Sequence, residues 1–300
     1  MVRLGVDFGG TKIEAAALDS SGAILSRERR PNPGSYAEAL LTVRDLVETV
    51  AKASQAGDAP VGVGMPGSLS ARTGLVRNAN SVWLNGAPFD RDLEQTLGRR
   101  VRLHNDANCF ALSEAVDGAG AGAEVVFGAI LGTGCGGGVV VRGTLVEGVN
   151  KIAGEWGHTP LPWPKPDEDR ALKCWCGRIN CLETWISGSG FEADHARTSG
   201  ETLTGESIVA RARAGDPTAQ ATVARYADRL GRALAVVCDI LDPDVIVCGG
   251  GMSNIPEIYA PARETLSRLA FSDSFATRLL QAQHGDSSGV RGAAWLWPET

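Results

Sequence analysis

No stretch of about 18 apolar residues runs anywhere in this chain of 300 residues, so no segment reads as a membrane-spanning helix. No long run of Lys or Arg appears either, and the net charge is −6, so the electrostatic footprint of a nucleic-acid binder is missing. The opening residues MVRLGVDFGGTK lack the charged start, apolar stretch and small-residue cleavage site of a secretory signal, which sets the expectation of a cytoplasmic protein. Low complexity is absent as well. With 43% hydrophobic residues, 21% charged residues and 38 glycines, the composition is that of a globular α/β protein with many tight turns. Neither a membrane nor nucleic acid is expected as a partner, and small-molecule chemistry is.

A chain of this length exceeds one usual core, which predicts two domains of about 150 residues. The segments LGVDFGGTKIEAAAL and GAILGTGCGGGVVV, about 125 residues apart, are both strand, Gly/Thr turn, strand, so two halves on one plan are expected. The Gly/Ala-rich stretch DGAGAGAE places the cut: an N-terminal α/β domain over 1–118 and a C-terminal α/β domain over 119–288. The short apolar helix expected over 289–300 would pack back on the first domain. Residues Leu40, Val43, Val47 and Val50 recur at helical steps between Tyr36 and Gln55. VGVGM reads as a buried strand entering a Pro-Gly turn. VRLHND followed by ANCFALSEAV reads as strand then helix, with Asp106 at the helix start; 217–241 reads as a long helix.

The standard phosphate signatures are missing too: DFGGTK is neither G-x-x-x-x-G-K-[ST] nor G-x-G-x-x-G. Its chemistry is still legible. Gly9 and Gly10 let backbone N–H groups approach an anion, Thr11 and Lys12 add a hydroxyl and a cation, and Asp7 is placed to hold Mg²⁺ through water. Taken alone the motif is equally a hairpin turn needing positive φ. Two further clusters, Gly132–Thr133–Gly134 and Gly249–Gly250–Gly251, each end an apolar strand, and together the three point to a nucleotide.

Seven cysteines in a chain expected to be cytoplasmic read as thiols or metal ligands rather than disulfides. Cys109, Cys135, Cys238 and Cys248 lie apart and read as small buried hydrophobes. The segment 158–183, HTPLPWPKPDEDRALKCWCGRINCLE, gathers the rest as H-x15-C-x-C-x4-C: His158, Cys174, Cys176 and Cys181. One imidazole and three thiolates form the closed tetrahedral set that structural Zn²⁺ prefers. A redox pair calls for C-x-x-C, an iron–sulfur cluster more often uses four cysteines, and unrelated buried thiols stay open as the bland reading.

The motifs DFGGTK, NDANC, LGTGCGGG, GEWGH, CWCGRINCLE and CGGGMSN, in this order and across the whole chain, resemble the ROK family of bacterial sugar kinases and repressors. The resemblance implies a two-domain α/β actin-like ATPase / sugar kinase (ribonuclease H-like) fold. It implies ATP phosphates on Gly9, Gly10, Thr11, Lys12, Gly132, Thr133 and Gly134, adenosine by Gly249–Gly251, and Asp106 as the general base. It implies sugar contacts at Gly67, Asn105, Asp106, Glu155, His158 and Glu183, and zinc at the Cys/His set, with homodimers frequent. The segments NANSVWLNG, NDANCFALSEAVDGA, GEWGHTPLPW and HGDSSGVRGAAWLWP bring the resemblance closest to the fructokinases of the family. The expectation is therefore a fructokinase acting on the 6-hydroxyl of D-fructose with ATP, Mg²⁺ and structural Zn²⁺. The alternatives are a kinase for glucose, mannose or N-acetylglucosamine and, behind them, a sugar-binding repressor, which would need a helix-turn-helix ahead of the motif at residue 7.

Overall fold

The computed structural model describes residues 2–168 and 170–297. Met1, Asp169 and the last three residues of the expected terminal helix, 298–300, lie outside the described residues. The chain forms two compact units. One gathers the residues up to Gly122, Gly138–Ala153 and those from Gln283 onward; the other gathers Ala123–Gly137 and Gly154–Ala282.

In the first unit β1 (Arg3–Phe8), β2 (Lys12–Leu18) and β3 (Ile24–Pro31) run as an antiparallel meander. The helix α1 (Tyr36–Ser54) follows and turns Val43, Leu46, Val47 and Val50 into the core, a stripe at three- and four-residue spacing. Next comes β4 (Val61–Met65), parallel to β1 and buried at every residue, as a strand covered on both faces must be. A small ribbon of β5 (Ser68–Leu69) and β6 (Val76–Arg77), then α2 (Phe89–Leu97), lead to β7 (Val101–Asn105), parallel to β4. The helix α3 (Asp106–Val116) leaves directly from β7. The sheet order is β3-β2-β1-β4-β7.

The same sequence of events recurs. A meander of β8 (Val125–Leu131), β9 (Cys135–Val141) and β10 (Thr144–Leu145) comes first. Then come α4 (Glu183–Ile186), α5 (Gly188–Ser199), α6 (Gly205–Arg213) and α7 (Pro217–Leu241). The strand β11 (Val245–Gly249) lies parallel to β8, α8 (Tyr259–Leu269) follows, and β12 (Arg278–Gln281) lies parallel to β11. The order β10-β9-β8-β11-β12 repeats the first sheet strand for strand. The duplicated plan expected from the two glycine-turn segments is thus present.

The long helix begins where its sequence dictates. Asp216 accepts from the N–H groups of Thr218 and Ala219, and Pro217 takes the first helical position, where a missing N–H costs nothing. The chain leaves the second unit within β9. A Cβ on Gly138 would lie 2.7 Å from Ala111 Cβ and 2.8 Å from Ala107 O, so this strand runs against α3 and carries residues 138–153 with it, a segment that a single cut near 118 does not separate. The last element, α9 (Ser288–Ala294), packs on β1, β4 and α3 with Val290, Ala293 and Ala294 fully buried. Among the described residues no helix is long and apolar enough to cross a membrane.

Candidate active site and metal centre

Phe8 ends β1 and Lys12 opens β2, with the reversal closed by the Gly9 N–H donating to Lys12 O at 3.0 Å. Asn32, just past β3, grips the turn twice: its Nδ2 donates to Gly9 O at 2.8 Å and its backbone N–H to Thr11 O at 2.9 Å. Gly10 and Thr11 stay exposed at the tip of the turn. Below it, burial first, then the charges of Asp106 and Glu14, push the Asp7 carboxyl up to about 7. Glu14 itself is fully buried between Arg27 Nε at 2.7 Å and Arg29 Nε at 2.6 Å.

At the far edge of the same sheet β7 delivers Asn105 and Asp106. Asn105, not Asp106, is the N-cap of α3: its Oδ1 accepts from the Ala107 N–H at 2.9 Å, and its Nδ2 donates to Gly67 O at 3.1 Å. Asp106 occupies the first helical position, where a carboxylate gains from the helix dipole, and its Oδ1 also meets the Ala107 N–H at 2.9 Å. Gly67 has φ +75°, and a Cβ there would lie 2.4 Å from Arg77 O, so only glycine fits. His104 Nε2 lies 3.4 Å from Glu147 Oε1, but burial, then Lys151 and Arg102, pull this imidazole down to about 4, and the contact is a neutral one.

In the second unit the turn Gly132–Gly134 is held from several sides. Gly132 N–H donates to Gly134 O at 3.0 Å, Gly188 N–H to Gly132 O at 2.7 Å, and Ser189 Oγ to Thr133 O at 3.1 Å. The third glycine cluster lies against it: Gly250, at φ +81°, would bring a Cβ within 2.6 Å of Leu131 O and 2.8 Å of Gly132 N. Glu183, the first residue of α4, reaches the same turn, its Oε2 accepting from the Cys135 N–H at 3.0 Å. Its Oε1 accepts from Trp175 Nε1 at 2.6 Å. Glu155 is exposed ahead of the short turn Trp156–His158, which Trp156 ties down by donating Nε1 to Gly136 O at 2.8 Å.

The ligand atoms of His158, Cys174, Cys176 and Cys181 all lie within 4.8 Å of one another. His158 Nδ1 stands 3.6 Å from Cys174 Sγ, and Cys176 Sγ 3.6 Å from Cys181 Sγ, close to the spacing of sulfurs around one tetrahedral zinc. Burial, then the Cys176 and Cys174 side chains, push the Cys181 thiol up to about 12, while at Cys176 burial is outweighed by the Arg178 N–H and the Cys174 and Cys181 side chains, which pull that thiol down. The tight turn survives the absence of a glycine before Cys181 because Asn180 takes φ +55°. The intervening loop has its own anchor. Glu168 Oε1 accepts from Arg229 Nε at 2.7 Å and Arg232 Nη2 at 2.6 Å on α7, and these bonds with the Lys165 N–H outweigh burial to hold its carboxyl down at about 2.

A glycine turn thus ends the first strand in each of two identically ordered sheets, a carboxylate opens α3, and a Cys/His set gathers in the second unit. The ROK family sequence model matches residues 3–300. The chain belongs to the ROK family. N-acetyl-D-glucosamine kinase of Yersinia pseudotuberculosis serotype O:3 (strain YPIII) is 40% identical over 297 residues, covering 97% of each chain. The crystal structure of a ROK hexokinase from Thermus thermophilus superposes with a TM-score of 0.87 at 32% identity, over 98% of this chain and 97% of that one. A ROK family glucokinase from Streptomyces griseus in complex with glucose and AMPPNP matches at 0.77 and 30% identity, over 98% of both chains. The α/β actin-like ATPase, ribonuclease H-like architecture expected from the ROK motifs is therefore established.

Within this ROK chain the expected sugar residues divide by unit. Gly67, Asn105 and Asp106 sit together in the first, with Asp7 close enough to feel the Asp106 charge; Glu155, His158 and Glu183 belong to the second. The cap of the helix that Asp106 opens is Asn105. Sequence reasoning missed Asn32, Trp175 and the backbone of Cys135. Trp175 carried a signal, a large aromatic between two closely spaced cysteines; a backbone N–H carries none.

Proposed function

We propose that the chain is an ATP-dependent hexose kinase that phosphorylates the 6-hydroxyl of N-acetyl-D-glucosamine. The observation that carries this reading is 40% identity, with 97% of each chain covered, to an N-acetyl-D-glucosamine kinase. ATP as donor is supported by the 30%-identical glucokinase whose structure holds glucose and AMPPNP. Fructose, the substrate expected from the longer sequence segments, draws no support from these relatives, and the alternative substrate takes its place.

In this reading Gly9, Gly10, Thr11 and Lys12 are phosphate contacts, as are Gly132, Thr133 and Gly134. Gly249, Gly250 and Gly251 lie toward the adenosine. Asp106 orients the sugar hydroxyl and takes its proton as the new O–P bond forms and the bond from the γ-phosphorus to the ADP oxygen breaks. A loose transition state asks little basicity of it before that bond is largely broken, so a carboxylate at a helix N-terminus is adequate. Asp7 is the carboxylate that would hold Mg²⁺ through water. Gly67, Asn105, Glu155, His158 and Glu183 complete the sugar set, where amides and carboxylates pair with adjacent hydroxyls. The Cys/His set fits zinc in donor type and spacing, and His158, Cys174, Cys176 and Cys181 would hold it. Bound there, zinc would supply no bond-making chemistry and would fix the loop and the orientation of the His158 ring.

The test is a kcat/KM series with MgATP over N-acetylglucosamine, glucose, mannose and fructose. N-acetylglucosamine is expected to lead by roughly tenfold or more, because a site built to pair an amide leaves buried groups unpaired with the plain sugar. A lead for fructose overturns the substrate, and no turnover with any hexose overturns the kinase.

A further inference from the structure

Trp175 is 67% exposed, yet it is not a loose side chain. Its ring meets the His158 ring edge-on, with centroids 5.0 Å apart and planes at 82°, and its indole N–H donates to Glu183 Oε1 at 2.6 Å. The other carboxylate oxygen accepts at 3.0 Å from the N–H of Cys135, the residue that directly follows the Gly132–Gly134 turn. A Cβ on Gly134 would stand 2.7 Å from that same oxygen, so the carboxylate presses directly on the turn. Glu183 is therefore a two-armed bridge, with the clip on one arm and a glycine turn on the other.

We infer that Trp175 is a positioning residue: by holding Glu183 Oε1 it keeps Oε2 on the Cys135 N–H, and so couples the Cys/His clip to the conformation of the second glycine turn. The inference rests on the reading of that turn as a nucleotide turn. The physical need is plain. A carboxylate beside a loop whose N–H groups receive phosphate is a rival anion, free to take those donors for itself or to repel the ligand. Fixed at both oxygens by N–H donors, it loses that freedom, and part of its charge is balanced locally. A glutamate bound at one oxygen alone retains side-chain rotamers that disturb the turn.

Trp175→Phe tests this, because it keeps an aromatic ring on His158 and removes only the N–H. Magnesium–AMPPNP binding is measured by calorimetry on wild type, Trp175→Phe, Glu183→Gln and the double variant, with bound zinc by elemental analysis and thermal midpoint as controls. The expected result is roughly three- to tenfold weaker nucleotide binding in each single variant, at unchanged zinc content and midpoint. The double variant should lose no more than either single one, since both cut the same bridge. Equal affinity in wild type and Trp175→Phe, additive losses, or loss of zinc from Trp175→Phe overturns the inference while leaving the kinase reading intact. A wild-type protein that binds no nucleotide removes that reading and this inference with it.

Discussion

Glu114 sits two turns along α3 from Asp106, is fully buried, and serves as an acceptor for four groups. Its Oε2 takes the N–H groups of Ala119 and Gln283 at 3.0 Å each; its Oε1 takes the His284 N–H at 3.2 Å and Ser288 Oγ at 2.9 Å. Three of these donors belong to the segment that leads into α9, so one carboxylate fastens the end of the chain to the helix that begins with Asp106. Glu114→Gln leaves one oxygen and turns an NH₂ toward two of the donors. Two charge-assisted bonds are lost at about 1.5–3 kcal/mol each, and about 3–6 kcal/mol of destabilisation is expected. Ser288→Ala removes one donor and should cost about 1–3 kcal/mol on the same scale. Urea unfolding followed by circular dichroism, with limited proteolysis near 283–288, measures both. A Glu114→Gln loss smaller than that of Ser288→Ala would refute the reasoning, because it would mean that the carboxylate is not the hub of these bonds.

Asp106→Asn is expected to bind hexose with little change in affinity while kcat falls roughly 10²- to 10⁴-fold, and near wild-type turnover would remove Asp106 as the base. Asp7, whose carboxyl rises from 3.8 to about 7 in the fold, is stabilised as the neutral acid; that advantage is full below pH 4 and is lost as pH rises through about 7. Charged Asp7 then weighs on the fold by about 4 kcal/mol at pH 8, so Asp7→Asn should raise the thermal midpoint there in metal-free buffer and change it little at pH 4.5. A difference that does not vary with pH would contradict this.

Much of the site could be read from the sequence because it is local. Gly9–Lys12, Gly132–Gly134, Asp106 after a short strand and the cysteine spacing each lie within a few residues, and backbone geometry follows from such short patterns. What could not be read is long-range. Glu114 stands one helical turn beyond Phe110 and Ala111, on a face that is apolar elsewhere, which marks a buried carboxylate but names no partner. The partners lie about 170 residues away, where no local pattern points. The same clasp continues at Asp117, which meets His284 Nε2 at 3.0 Å, the Arg291 guanidinium and Trp295 Nε1 at 3.3 Å. NDANCFALSEAVDGA and HGDSSGVRGAAWLWP are thus partners in one structural lock. Beyond Asn105 and Asp106, which are expected of the whole family, their joint presence reports how α3 and α9 are held and does not discriminate one sugar from another. NANSVWLNG is likewise closed on itself, with Asn85 bonded to both the N–H and the C=O of Ala79 at 2.9 Å. The fructose expectation was drawn in large part from segments whose work is architectural, and their proposed sugar residues, Asn105, Asp106, Glu155 and His158, are expected of the whole family.

The duplication clarifies why a clip of this kind is useful. Both halves supply the same object, a glycine turn at the end of the first strand of a meander, but they load it differently. In the first half the carboxylate beside the turn is Asp7, part of the strand itself, so the sheet positions it without further help. The second half has Ile130 and Leu131 at the end of the corresponding strand, and its carboxylate, Glu183, comes from 48 residues beyond the turn residue it touches. A side chain from so far along the chain needs a rigid mount. Cys174, Cys176 and Cys181 lie immediately ahead of it, Trp175 holds one oxygen, and Glu168 pins the loop that closes the set to α7. Two copies of one backbone design thus set a carboxylate beside the turn by unlike routes, and the second route ties the Cys/His segment to a turn that lies outside it.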